Sequence, residues 1–156
     1  MKTSFRRSVV TLSLFFALLR LGALPANAAE LSAQQRADLA ALQGTWIVSA
    51  AEQGGKPFDD IKGGRLTISS EEFALKTASG NELTGRIQVD PNPKPKQLDF
   101  LLSGGERWLA IYDVRGKVLR LNYIEAGEGG MRPTQFATSS ELRGTVIALT
   151  RGQPAE

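Results

Sequence analysis

The stretch Leu42–Trp46, LQGTW, separates a polar helical segment from a β-rich remainder. The preceding segment, SAQQRADLAAL from Ser32 to Leu42, begins with a Ser that can cap a helix and has Gln at the capping-box position. Leu39 and Leu42 lie on one side of that helix, and Gly44 is suited to end it. The sequence therefore predicts a short helix followed directly by a strand that begins with a bulky Trp.

Beyond Gly44, short alternating segments bounded by turn residues replace the helical period, which is typical of all-β proteins. The connections ASGN, DPNPKPK and RG consist of ordinary turn residues. Several segments have one apolar face, as Leu66 and Ile68 illustrate. Eight strands are predicted: Thr45 to Gln53, Arg65 to Ser69, Phe73 to Thr77, Glu82 to Val89, Gln97 to Leu102, Trp108 to Val114, Val118 to Ile124, and Thr145 to Arg151.

Sequential antiparallel strands with a single inward face can close as an up-and-down barrel, which leaves no exposed edge. The predicted fold class is therefore all-β, an eight-stranded antiparallel barrel with a short N-terminal helix. Hairpin connections alternate between the two ends, so the two longest, Gly54 to Gly64 and Glu125 to Gly144, fall at the same end. The helix is expected to plug the other end.

Trp46 and Arg151 are predicted to meet at the plugged end. In a closed barrel of this topology the first and last strands pair antiparallel, so the start of one lies beside the end of the other. An Arg guanidinium over an indole ring contributes ~0.5 to 2 kcal/mol. We assign this pair to barrel closure rather than to ligand binding.

Five segments resemble a family of small secreted lipocalin-like proteins abundant in Planctomycetes: LQGTWIVSAAEQGGKPF, GGRLTIS, AIYDVRGKVLRLNY, GGMRPTQF and the closing LTR. The resemblance extends from about Leu39 to Arg151 and implies a lipocalin-like barrel. It carries over no activity. The sequence departs from the family pattern at Asn122, where Cys is frequent, and at Gln135, where Glu is usual, so no thiol or carboxylate role is transferred there.

The first 28 residues have the order of a secretory signal. Basic residues precede the apolar run VVTLSLFFALL, and ANA follows at residues 26–28. The apolar run is shorter than the ~20 residues that span a bilayer. We predict cleavage near Ala28 and export to the periplasm or the cell exterior, with no stable membrane anchor afterwards. Residues 29–156 would then form one barrel domain.

The formal net charge of the whole chain is +3, but four basic residues and no acidic ones lie in the first 28. Their removal leaves 15 Lys and Arg against 16 Asp and Glu. The positive charge therefore belongs to the export signal, and no nucleic-acid partner is expected.

The sequence contains neither Cys nor His. Zinc sites built from these residues, Ser-His-Asp triads and Cys-His dyads are consequently excluded. The adjacent acids Asp59/Asp60 and Glu71/Glu72 are interpreted as solvated turn residues rather than as a catalytic pair. We predict a protein that is not an enzyme and has no cofactor or metal.

Candidate ligand residues come from an aromatic cluster and from the long last connection. If Arg115 and Gly116 form a two-residue turn, Trp108 pairs with Tyr123 and Tyr112 with Leu119, and these aromatic rings face inward; a bulged three-residue turn would bring Leu109 and Ile111 inward instead. The first arrangement is favoured because it leaves Asp113, Arg120 and Asn122 facing water. The candidate ligand-binding residues are Trp108, Tyr112, Leu121, Tyr123, Arg132 and Phe136.

Two interpretations of Arg132 and Phe136 remain open. A connection of this length is uncommon unless it is a lid, a binding loop or disordered, and Arg132 could provide a counter-charge for an anionic ligand at the barrel mouth. Alternatively, Phe136 holds the loop against the barrel and Arg132 pairs with a carboxylate.

Two functional hypotheses follow. In the first, the barrel binds a small apolar or anionic amphipathic molecule. In the second, a filled barrel acts through its outer surface as a cell-envelope or protein-interaction module. A cavity of several hundred cubic ångströms would favour the first, and a solid core the second.

Overall fold

The computed structural model of the chain describes residues 31–125 and 130–152. The predicted signal segment, residues 1–28, lies outside the described residues. The first element is helix α1, Ala33–Leu42, which is capped by the Ser32 side chain and Gln35 in a reciprocal capping box. The predicted cap is therefore confirmed. Gly44 has φ +103°, a conformation that Gly adopts without the penalty of a side chain.

Nine strands follow the helix, and eight of them match the predicted ones with no end displaced by more than one residue. The short β2 and the 3₁₀ turn Asp59–Ile61 lie within the connection expected between residues 54 and 64. The strands are β1 Gly44–Gln53, β2 Lys56–Pro57, β3 Arg65–Ser69, β4 Glu72–Lys76, β5 Glu82–Asp90, β6 Lys96–Leu102, β7 Arg107–Arg115, β8 Val118–Glu125 and β9 Thr145–Arg151.

The strands form a closed antiparallel barrel, as predicted. Each strand from β3 to β9 pairs with its sequence neighbour, β1 pairs with β3, and β9 returns to pair with β1. The two-residue β2 forms a small hairpin with the end of β1 and is not part of the closed ring. The arrangement is consistent with a lipocalin-like barrel.

Alternate residues of the eight barrel strands point inward and form one continuous apolar core with Leu39 and Leu42 of α1. The closed half is filled by large side chains with almost no exposed surface. These include Trp46, Leu66, Ile68, Tyr112, Leu119, Leu121 and Leu149. The helix covers this end, and the two long connections lie at the other, as the hairpin order predicts.

Trp46 and Arg151 are opposed across the β1–β9 seam, and the Arg151 guanidinium carbon lies 4.2 Å from the centre of the indole ring. Arg151 also donates to the backbone carbonyls of Ala41 and Gln43 at 2.9 and 2.7 Å, and the Trp46 indole donates to Leu42 O at 2.8 Å. The predicted pair is present. It joins the end of the helix to the seam that closes the barrel.

The turn between β7 and β8 differs from the prediction. Arg115 pairs with Val118, so the turn is formed by residues 116–117, and Tyr112 faces Leu121 rather than Leu119. Trp108 faces Glu125 rather than Tyr123. The expected inward direction of the aromatic residues is nevertheless correct, because moving a two-residue turn by one position shifts the pairing by two residues and preserves the faces.

Asn122 does not face water as expected. It points outward from β8 but is only 1% exposed, as is its cross-strand partner Ile111. The connection between β8 and β9 covers it. Among the described residues, no helix is both long enough and apolar enough to cross a membrane.

Candidate functional site

A row of aromatic rings runs along the inner wall towards the open end of the barrel. Phe73 and Phe100 meet edge to face with centroids 4.9 Å apart, and Phe100 and Trp108 do so at 6.4 Å. Trp108 and Tyr123 are stacked nearly parallel, with centroids 5.1 Å apart and an angle of 11° between the planes. Such pairs contribute about 0.5–1.5 kcal/mol beyond area burial, so these contacts stabilise this wall.

Above this wall the open end holds a cavity of about 680 Å³ that faces solvent, which we call the cup. Its floor includes the outermost inward-facing residues of four strands: Leu75, Leu83, Trp108 and Tyr123. Phe58 and Ile61 line it from the segment between β2 and β3. Burial raises the pKa of the Tyr123 phenol, which remains neutral and able to donate a hydrogen bond.

Residues 130–144, which we call the strap, complete the cup on another side through Ser139, Ser140, Leu142 and Arg143. Thr138 fixes this part of the strap to the β1–β2 hairpin. Its hydroxyl donates to Glu52 Oε1 at 2.7 Å and accepts from the backbone N–H of Gly55 at 3.0 Å. The two long connections thus support each other around the rim.

The first part of the strap crosses the outer surface of the barrel. Arg132 donates to Asp99 Oδ1 at 2.5 Å and to the backbone carbonyls of Leu98 and Ala110 at 3.2 and 2.7 Å. Asp99 also accepts from Arg107, so two guanidinium groups share one largely buried carboxylate. This arrangement pins Arg132 over the β6–β7 seam.

Asn122 holds the strap further along. Its side-chain N–H groups donate to the carbonyls of Gln135 and Ala137 at 2.7 and 3.3 Å. Its Oδ1 lies 2.5 Å from the position that a Cβ on Gly144 would occupy. Gly144, with φ +127°, is therefore required on both steric and conformational grounds. Phe136 packs beneath Arg120, whose guanidinium carbon is 4.4 Å from the ring centre.

Tyr112 belongs to the closed end. Its hydroxyl donates to Asp38 of α1 at 2.5 Å, and Lys96 forms an ion pair with the same carboxylate at 2.7 Å. Burial opposes ionisation of Asp38, but the hydrogen bonds from Lys96 and Tyr112 outweigh it, and the pKa of Asp38 is lowered. Burial, together with the Asp38 carboxylate, raises the pKa of Tyr112.

The six predicted ligand residues are thus distributed over three places. Trp108 and Tyr123 line the cup. Tyr112 and Leu121 lie below it in the packed interior, and Arg132 and Phe136 lie on the outer surface. The expected single cluster is not formed. The geometry of Arg132 and Phe136 is that of the second interpretation, in which they attach the loop to the barrel.

Sequence reasoning missed several residues of the cup. Phe58 and Ile61 are apolar residues in one of the two long connections predicted to lie at the open end. Leu142 is an apolar residue in the other. That signal was available in the sequence. Within residues 31–125 and 130–152 no group of three or more acidic side chains is placed to hold a metal ion.

Comparisons with known proteins give no further assignment. No protein-family model, curated protein or solved structure matches this chain.

Proposed function

We propose that this protein binds a small apolar molecule in the cup at the open end of the barrel. The observation that carries the proposal is a cavity of about 680 Å³ built on the stacked Trp108–Tyr123 pair. Small-molecule sites typically occupy about 300–1,000 Å³, with mostly apolar walls and a few polar groups. The cup has this size and this mixture.

The energetic basis is the apolar surface that the cup leaves in contact with water. Leu142 is 43% exposed at the rim, and Leu75, Leu83 and Tyr123 are only partly buried. A ligand that covers such surface gains about 25 cal/mol for each Å² removed from water. Gln53 donates from its side-chain nitrogen to the Thr145 hydroxyl at 3.0 Å, and its side-chain oxygen can accept an uncharged hydrogen bond from the ligand.

The alternative is a barrel that acts through its outer surface. The filled closed half and the 84% exposed Met131 on the strap favour it. The cup, however, supports ligand binding more directly, because it combines concavity with aromatic walls. A binding role rather than an enzymatic one is also supported by the absence of His and Cys from the sequence.

We further propose that the protein is exported and belongs with the small secreted lipocalin-like proteins that its sequence resembles. The support is the order of residues 1–28 and the five quoted segments. N-terminal sequencing of the protein recovered from its own cells should start near Ala29. Recovery of the intact chain from the cytoplasm would contradict export.

Binding is tested with N-phenyl-1-naphthylamine, an uncharged probe that fluoresces more strongly in apolar surroundings. The probe should bind the wild-type protein, and Leu142→Asp should weaken binding by about tenfold or more, since it places a charge in the cup. Val118→Asp is the matched control, because Val118 is 39% exposed but lies beside the turn at the closed end. The control should bind as the wild type does.

Circular dichroism of both variants establishes that each retains its β structure. Absence of probe binding to the wild type, or equal weakening by the two substitutions, would refute a ligand site in the cup.

A further inference from the structure

The depth of the cup limits what it can hold. Successive inward-facing residues of a strand are about 7 Å apart. Trp108 and Tyr123 line the cup, whereas Ala110 and Leu121, the next inward residues on the same strands, do not. The second layer is closed: Phe73, Ala110, Leu121 and Ile147 are between 0% and 4% exposed.

The cup is therefore about one side-chain layer deep along the barrel axis. A long alkyl chain cannot extend into the barrel without displacing the second layer, and displacing packed core residues costs several kcal/mol. A compact molecule can fill the cup while the core stays intact. This difference separates ring-shaped ligands from fatty acids and other long-chain amphiphiles.

The aromatic residues that line the cup also favour ligands that contain rings. The ring planes of Trp108 and Tyr123 are within 11° of parallel, so both rings have the same orientation beside the cup. Phe58 lines the cup from the segment between β2 and β3. Aromatic rings prefer offset-stacked or edge-to-face contact with other rings. A flat ring system can make such contacts with several of these residues at once.

The charged residues at the rim also limit the net charge that the ligand can carry. Among the described residues lining the cup, Glu125 is the one acid and Arg143 the one base, and both are exposed. Arg143 would attract an anionic ligand, but Glu125 would repel it. A cationic ligand would be attracted by Glu125 and repelled by Arg143. Arg132, the expected counter-charge, is engaged by Asp99 on the outer surface. The remaining polar groups are hydroxyls and amides.

We propose that the cup selects compact, ring-shaped apolar molecules without net charge over long-chain amphiphiles and over anions. This inference rests on the proposed binding function and names the class of ligand for that same site. A single neutral hydroxyl group on the ligand suits the Gln53 side-chain oxygen and the exposed Ser140 hydroxyl, which line the cup.

Three probes separate shape from charge. 2-Naphthol and 1-decanol contain the same number of carbon atoms and one hydroxyl each, but only the first is a compact ring system. 2-Naphthoate adds a negative charge to the same rings. Titration calorimetry of the full exported protein at neutral pH should give affinity for 2-naphthol about tenfold or more above that for either other probe.

A pair of exposed acids provides the matched variants. Glu125→Gln leaves Arg143 unopposed and should raise affinity for 2-naphthoate several-fold, and by a larger factor than any change in affinity for 2-naphthol. Glu72→Gln removes an exposed acid on β4 outside the cup, and it should change neither affinity. Both substitutions are at exposed positions, so folding is preserved.

Equal or tighter binding of 1-decanol would overturn the shape selectivity, and tighter binding of 2-naphthoate to the wild type would overturn the charge selectivity. In both cases the proposed binding function would stand. Failure of all three probes and of N-phenyl-1-naphthylamine to bind would overturn both proposals. A response of Glu72→Gln equal to that of Glu125→Gln would show that the charge effect does not arise in the cup.

Discussion

The hydroxyl of Tyr112 donates a 2.5 Å hydrogen bond to the carboxylate of Asp38 and thereby joins the inner wall of the barrel to the helix that covers its closed end. Asp38 also accepts from Lys96 and Gln34, and it is only 7% exposed. This carboxylate attaches the middle of the helix to the barrel, as Arg151 attaches its end.

We expect Asp38→Asn to lower the free energy of unfolding by about 1–3 kcal/mol, because the amide replaces a charged acceptor shared by three donors. Urea denaturation followed by circular dichroism measures the change. Tyr112→Phe removes one of the donors while keeping the ring. The double variant should lose less than the sum of the two single losses, and strict additivity would show that the two side chains act independently.

The contribution of Asp38 should depend on pH. Its pKa is lowered in the folded protein, whereas an Asp in an unfolded chain titrates near about 3.9. The ionised group therefore adds stability above that value, and the contribution is lost as the pH falls through the folded pKa. The stability difference between wild type and Asp38→Asn should be full near neutral pH and should shrink below about pH 4. A difference that widens on acidification would reverse this assignment.

Replacement of Arg151 by Lys should lower the stability of the protein. Arg151→Lys retains the charge but cannot donate from one planar group to both Ala41 O and Gln43 O while lying over Trp46. We expect a loss of about 1 kcal/mol in thermal or urea unfolding. Arg65→Lys, at an exposed position on β3, is the control and should be nearly neutral. Equal stability of the two variants would argue against a specific role for the guanidinium.

Gly144→Ala should be among the most disruptive single substitutions in the strap. The added Cβ would lie 2.5 Å from Asn122 Oδ1 and 3.3 Å from the Tyr123 carbonyl, in a backbone conformation with φ +127°. Gly80→Ala provides the matched control, since Gly80 has φ +94° but open space around it. Gly80→Ala measures the conformational cost alone, which is about 1 kcal/mol or more of the free energy of unfolding. Gly144→Ala should lower the free energy of unfolding by clearly more than this control does. Equal losses would mean that the strap moves aside freely.

Much of the barrel could be predicted because its strands alternate cleanly. The helix cap at Ser32, the strand bounds and the contact of Trp46 with Arg151 all follow from local patterns and from the geometry of closure. The exact turn between β7 and β8 could not be obtained from alternation, since both turn positions keep the same residues inward. Gly116, with φ +59°, occupies the first central position, where a turn of type II′ requires Gly.

The path of the strap could not be predicted from the sequence for a different reason. It has no periodicity, and its position depends on single polar contacts with residues distant in sequence, such as Arg132 with Asp99. Alternation places Asp99 and Asn122 on the outer surface, where polar residues are ordinary. Nothing in the local pattern distinguishes an outward Asn that faces water from one that holds a loop.

Helix α1 and the end of β9 meet at the closed end of the barrel, where Arg151 reaches the last carbonyls of the helix. The two ends of the described domain, residues 31 and 152, therefore lie at the end of the barrel opposite the cup. A solid support or a fusion partner joined directly to either of these residues would be attached on that side. Attachment there leaves the cavity directed away from the support.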